Sequence, residues 1–185
     1  MNFADRLKDI AEWTDRIVLR EKDLSENEYR QVAEKAFAVC GEKLVIHNFP
    51  NVAKQLRIHQ IHLPLPILRT LSAEDKIYFT EIGTSCHSVE DAKEAIELGC
   101  TYIFAGHIFE TDCKKGLPGR GLEFLKGITE KSSIPVYAIG GISDHNISDV
   151  LSTGADGICV MSGLMSCEDV EEYIQKLKGG ASYEI

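Results

Sequence analysis

An imidazole, a hydroxyl, two carboxylates, a thiol and two ammonium groups fall between His107 and Lys115, in Gly106-His-Ile-Phe-Glu-Thr-Asp-Cys-Lys-Lys-Gly116. Imidazole titrates near neutral pH, so His107 is the candidate for taking and returning a proton. The other reading of His107 is a strand-end histidine bonded to backbone. Lys114 supplies positive charge for a carboxylate or phosphate. Cys113, beside two lysines, is either an activated thiol or an unreactive loop thiol near a ligand. The apolar run Tyr102–Ala105 just upstream reads as a buried strand, and a strand followed by glycine and a polar loop is the form of an active-site loop on an α/β scaffold.

Other polar groups stand after other apolar runs. They are Arg20-Glu-Lys-Asp23, His47-Asn48, His62-Leu-Pro64, Gly83-Thr-Ser-Cys-His87, Gly140-Gly141 and Met161-Ser-Gly163. Arg20 and Lys22 are candidate anion contacts, with an Arg20 ion pair to Glu21 or Asp23 as the alternative. Asn48, Ser85 and Thr111 are further candidate substrate contacts. Glycines at 140, 141 and 163, with Ser162, let backbone N–H groups approach a phosphate. Plain turn glycines are the alternative. His87 lines the site or precedes a helix, and His62 is open in the same way. His59 and His145 read as structural. No two histidines have the spacing of a helical zinc motif, so no metal site is expected.

The elements that must position these groups alternate. Strands are expected at Arg16–Arg20, Leu44–His47, Ile58–Leu63, Tyr78–Ile82, Thr101–Ala105, Pro135–Ile139 and Gly157–Met161. Amphipathic helices are expected at Asn2–Trp13, Glu26–Val39, Val89–Leu98 and Ile147–Ser152. Ser25…Glu28 and Ser88…Asp91 read as capping boxes, and Gly99 and Gly154 as helix ends. Strand alternating with helix implies a parallel sheet. The expectation is a single α/β domain over residues 1–185, a (β/α)8 TIM barrel lacking or truncated at its first strand. In such barrels chemistry gathers at the C-terminal strand ends, and phosphate sites follow the last two strands.

Bulk properties narrow the function. The chain of 185 residues is 44% hydrophobic and 26% charged, with a net charge of −9. An acidic balance with no basic stripe argues against nucleic acid as a partner. No apolar run is long enough to suggest a spanning helix, and the acidic amphipathic N-terminus is not a signal peptide, so no membrane partner and a cytoplasmic location are expected. Six scattered cysteines, with no Cys-x-x-Cys pair, suit reduced thiols.

Val18-Leu-Arg-Glu-Lys-Asp23, Ile82-Gly-Thr-Ser-Cys-His-Ser88 and the two glycine motifs resemble the thiamine phosphate synthase and TenI superfamily. That resemblance implies a (β/α)8 barrel that handles the phosphorylated thiazole of thiamine, and it suggests a homodimer. The Gly106–Gly116 loop looks like the TenI branch; synthases typically carry proline at the position of His107 and Thr-Pro-Thr-Lys at that of Thr111-Asp-Cys-Lys114. Synthases also place Mg²⁺-holding aspartates where this chain has Phe49 and the His62-Leu-Pro-Leu-Pro segment. The resemblance therefore implies a thiazole tautomerase, an isomerase with His107 as its acid–base group. It would act on a small-molecule thiazole phosphate carboxylate and need no cofactor. The alternatives are the synthase itself, condensing a pyrimidine pyrophosphate with a thiazole phosphate, and a non-catalytic regulatory or ligand-binding protein.

Overall fold

The computed structural model describes residues 2–111 and 114–180. It alternates helix and strand throughout. The first elements are α1 (Phe3–Trp13), β1 (Ile17–Leu19), α2 (Glu26–Cys40), β2 (Leu44–His47), α3 (Pro50–Gln55), β3 (Gln60–Leu63), α4 (Leu65–Leu68) and α5 (Ala73–Tyr78). Then come β4 (Glu81–Cys86), α6 (Val89–Glu97), β5 (Tyr102–Gly106), α7 (Gly121–Thr129), β6 (Val136–Ile139), α8 (Ile147–Ser152), β7 (Gly157–Cys159), α9 (Ser162–Ser166) and α10 (Val170–Gly180). This is the α/β order of a TIM-type barrel with α1, not a strand, ahead of β1. None of the described helices is long and apolar enough to cross a membrane. The chain forms two compact units, residues 1–82 and 83–185.

In the first unit β1, β2 and β3 are parallel neighbours, with Leu19 beside Ile46 and His47 beside His62. Leu44, Val45, Ile46, Ile61 and Leu63 are fully or almost fully buried. Tyr29, Ala33, Ala36 and Cys40 form the buried face of α2, at helical spacing. The capping box at its start is complete: Glu28 N–H donates to Ser25 Oγ at 3.4 Å, and Ser25 N–H donates to Glu28 Oε2 at 2.9 Å.

Tyr29 has no exposed surface. Its hydroxyl donates to the Leu19 carbonyl at 2.6 Å and accepts from the His47 amide at 2.9 Å. One phenol thus joins α2 to the ends of β1 and β2. Tyr29→Phe keeps the ring but leaves a buried amide and carbonyl without that partner. It is expected to cost about 1–3 kcal/mol in urea denaturation, the usual penalty for orphaned buried groups. A loss below a few tenths of that range would mean that the phenol is dispensable.

The expected strand at Tyr78–Ile82 is displaced. Ser72 caps α5 by accepting the Asp75 amide at 3.0 Å, so Tyr78 ends a helix, and β4 begins only at Glu81. Tyr78 is held there by His59, whose Nδ1–H donates to the Tyr78 carbonyl at 3.0 Å with the rings 4.5 Å apart. The cap signal at Ser72 outweighs the β-prone aromatic run that follows it.

In the second unit β4, β5, β6 and β7 are parallel neighbours in sequence order. Ile103, Ala105, Val136 and Ala138 are buried, α7 packs on β5 and β6, and Ala95, Leu125, Ile128 and Val150 are the buried positions of α6, α7 and α8. The Ser88 cap is half a box. Ser88 Oγ accepts the Asp91 amide at 2.9 Å, but the short Asp91 side chain accepts from the His87 amide at 2.8 Å. The expected helix ends hold at Gly99 and Gly154, with φ of 91° and 86°.

Candidate functional site

The strand ends of the first unit gather cations and imidazoles. Arg20 follows β1, His47 closes β2 and His62 lies in β3. The two imidazoles stack at 6.0 Å between ring centroids and 18° between planes. His62 is 2% exposed and His47 half-buried. Burial, followed by the positive charge of Arg20 and Lys22, holds His47 down to about 4. Burial, His47 and Arg20 hold His62 down to about 3. Both rings are therefore neutral at pH 7. Arg20 and Lys22 are exposed, and among the described residues neither enters an ion pair, so the expected alternative of an Arg20 pair with Glu21 or Asp23 does not hold. Asn48 takes a left-handed φ of 70°, and its amide donates to the His62 carbonyl at 3.1 Å. Phe49 packs its ring on Tyr29 at 4.6 Å.

In the second unit His107 follows β5 and is 7% exposed. Its Nδ1 is a buried side-chain atom with no hydrogen-bond partner, and its Nε2 lies 3.4 Å from the Leu117 carbonyl. The loop after it is closed by its own backbone. The Arg120 amide donates to the His107 carbonyl at 3.0 Å, Gly121 to Ile108 at 2.9 Å and Lys114 to Thr111 at 2.9 Å. Thr111 is half-buried and Lys114 exposed, while Cys113 lies outside the described residues. Ser85 is half-buried in β4 itself, not after it. His87 Nδ1–H donates to the Gly106 carbonyl at 2.6 Å, directly before His107. That makes His87 a support for the His107 loop, a role open from sequence.

Gly140 and Gly141 follow β6 with φ of 102° and 68°. A Cβ on Gly140 would lie 2.5 Å from His107 Cβ, and one on Gly141 would lie 2.6 Å from the Glu110 carbonyl. The need for glycine is thus met by the His107–Glu110 segment pressed against it, whatever anion the amides meet. Ser162 and Gly163 open α9, and the place of a Cβ on Gly163 is filled by the Tyr173 hydroxyl. Asn146, passed over in the sequence, pins the turn after β6. Its Nδ2 donates to the Gly141 carbonyl at 2.9 Å, and its Oδ1 accepts the Ser143 amide at 2.9 Å. Ser143-x-x-Asn146 directly after a glycine pair was the available signal.

No group of three or more metal-holding side chains occurs among the described residues. Among the described residues Cys40, Cys86, Cys100, Cys159 and Cys167 form no disulfide. Burial pushes the Cys86 thiol up to about 12, so it is inert at neutral pH.

Comparison with known proteins places this geometry in a family. A profile described as thiamine monophosphate synthase matches residues 2–164. The thiamine-phosphate synthase of Clostridium tetani is 35% identical over 172 residues, spanning 88% of this chain and 80% of the relative. That of Clostridium acetobutylicum is 35% identical over 164 residues, spanning 84% and 76%. Thiamine phosphate pyrophosphorylase from Pyrococcus furiosus superposes with a TM-score of 0.80 at 28% identity, over 97% of this chain and 89% of that one. A 3-hexulose-6-phosphate synthase, at 15% identity and a TM-score of 0.72, shares the fold alone. These relatives overturn the expectation of a thiazole tautomerase, its isomerase class and its TenI branch. That expectation weighed one loop and two absent carboxylates, whereas the likeness to named synthases runs through most of both chains. On that extent of match, the chain belongs to the thiamine monophosphate synthase family.

Proposed function

We propose that this chain is a transferase that forms thiamine phosphate by condensing a pyrimidine pyrophosphate with a thiazole phosphate and releasing pyrophosphate. The observation that carries the reading is the 35% identity, over 88% of this chain, to an enzyme named thiamine-phosphate synthase. Within the second unit, the amides of Gly140, Gly141, Ser162 and Gly163 receive the thiazole phosphate, and Lys114, Thr111 and Ser85 line its approach. His107 offers Nδ1 to the substrate, which gives that buried atom a partner. Within the first unit, Arg20 and Lys22 meet the charge that builds on the departing pyrophosphate, and Asn48 adds an amide. Preorganised cations facing developing negative charge are the main source of acceleration in such displacements.

The family resemblance implies Mg²⁺ held by carboxylates, and the residues present do not fit it. Mg²⁺ takes oxygen ligands, usually one or two carboxylates with phosphate oxygens. After Asn48 the chain offers Phe49, whose ring is engaged with Tyr29, and after β3 it offers Pro64 and the apolar α4. The same departure favours a second reading, a phosphate-ligand binding protein without turnover.

Incubating the protein with both substrates and Mg²⁺, and following thiamine phosphate by fluorescence after oxidation, separates the two. The expected result is stoichiometric formation of thiamine phosphate and pyrophosphate. Binding of thiazole phosphate with no product at high enzyme concentration would overturn the transferase reading in favour of the second.

A further inference from the structure

We propose that Tyr173, on α10, is a further binding residue of the synthase reading, its side-chain hydroxyl donating to a phosphoryl oxygen of the substrate at the rim of α9. The inference rests on that reading for the phosphate ester and deepens it. It brings in α10, a helix that carries no strand-end loop.

The hydroxyl stands where such a donor is needed. Gly163 is the second residue of α9, and the place of a Cβ on it is taken by the Tyr173 hydroxyl, with the ring carbon Cε2 2.9 Å from the same point. Along a helix every Cα–Cβ bond tilts toward the N-terminus. The phenol tip therefore stands off Gly163 on the side of the first turn, whose amides have no partner within the helix. The oxygen is also uncommitted. Tyr173 is half-buried, yet among the described residues its hydroxyl makes no hydrogen bond. A phenol tip so placed ordinarily finds a partner. Burial, followed by Cys167 and Asp144, pushes this phenol up from its usual range, so at neutral pH it keeps its proton and remains a donor.

The helix that presents this oxygen is firmly seated. Val170, Ile174 and Leu177 form its buried face. Gly180, at its end, is pressed on the turn after β6: a Cβ there would meet the Asp144 carbonyl and stand 3.0 Å from Ile147 Cγ2. Asn146 in that turn holds the Gly141 carbonyl at 2.9 Å. One helix thus abuts Gly163 with its first half and the turn behind Gly140-Gly141 with its end. An independent observation marks the same region as a place for a ligand. His107, pressed on Gly140, keeps its Nδ1 buried without a partner. An O–H donated to an ionised phosphate makes a shorter and stronger bond than one donated to a neutral acceptor.

Calorimetric titration of the full chain with thiazole phosphate, wild type against Tyr173→Phe, tests this. Because the hydroxyl bonds nothing in the protein, its removal is expected to leave Tm within about 1 °C. It should weaken thiazole phosphate binding about tenfold or more, as loss of a hydrogen bond to a charged group does. Affinities that agree within about twofold would overturn the proposal. So would a Tm lowered by several degrees, which assigns the hydroxyl to the fold. In wild type carrying ring-labelled tyrosine, the resonance that the variant lacks should move on titration, and one that stays fixed through saturation counts against the contact equally. Failure of the synthase reading looks different: thiazole phosphate binds, and binds less well to Tyr173→Phe, but thiamine phosphate never forms. A wild type that does not bind thiazole phosphate would sink both.

Discussion

Lowering the pH from 7 to 4 is expected to remove on the order of 3–5 kcal/mol of stability through His47 and His62 alone. In the unfolded chain both imidazoles titrate near 6.5. In the folded protein burial, helped by Arg20, holds them down to about 4 and about 3. Between those values and 6.5 the unfolded state binds more protons than the folded one, so stability falls as the pH falls. The stabilisation is complete above pH 6.5 and disappears as the pH drops through the folded-state values. The figure sits below the full sum because His47 is only half-buried and the two rings influence each other. Carboxylates also titrate in this window, so the relevant measurement is a difference. Urea midpoints of the wild type and of a His47→Gln/His62→Gln variant should diverge at neutral pH and converge toward pH 4. Parallel curves would show that the imidazoles are not held neutral by the fold.

Gly140→Ala is expected to cost about 3–5 kcal/mol, more than any surface substitution, because two penalties coincide. The backbone φ of 102° is a conformation that side chains disfavour. The added methyl would stand 2.5 Å from His107 Cβ and 2.9 Å from its Cα, so the His107 backbone must move. Gly154→Ala is the matched control. Its φ is 86°, but the nearest atom is Thr129 Oγ1 at 3.6 Å, so only the conformational penalty of about 1 kcal/mol applies. Thermal melts of the two variants side by side give the result, and equal losses would show that contact with His107 is unimportant. If the larger loss is seen, product formation by the surviving folded fraction of Gly140→Ala also reports what the His107 position contributes.

Local signals carried most of the secondary structure. The alternation, the Ser25 cap, the glycine ends and helix α8 at Ile147–Ser152 were legible because each depends on residues within four of one another. One local signal was missed: Tyr78 looks like strand until Ser72, which accepts the amide of Asp75 three residues on, is recognised as a cap. The rest of what failed depended on distance. The His47–His62 stack needs the register of β2 on β3, which no local pattern contains. Tyr29 left one readable trace: a tyrosine on the same helical face as Ala33 and Ala36 must point at the strands. The glycines after β6 were legible as necessary but not for their reason, since the His107–Glu110 segment that fills the space lies some thirty residues earlier. The function was misjudged for a related cause. A few chemically telling positions outweighed the many ordinary ones that tie the chain to its relatives.

One helix holds both ends of the loop that carries Arg20 and Lys22. Leu19, just before the loop, is fixed by the Tyr29 phenol, and Ser25, just after it, is the cap residue of the same α2. Five residues strung between two anchors on a single rigid body have few conformations left to lose. On the proposed transferase reading, an arriving pyrophosphate would meet cations already displayed, with little ordering entropy subtracted from its binding. The loop would thus favour a fast-exchanging anion held by charge over one that is slowly enclosed, and release, not capture, would set how long a pyrophosphate stays.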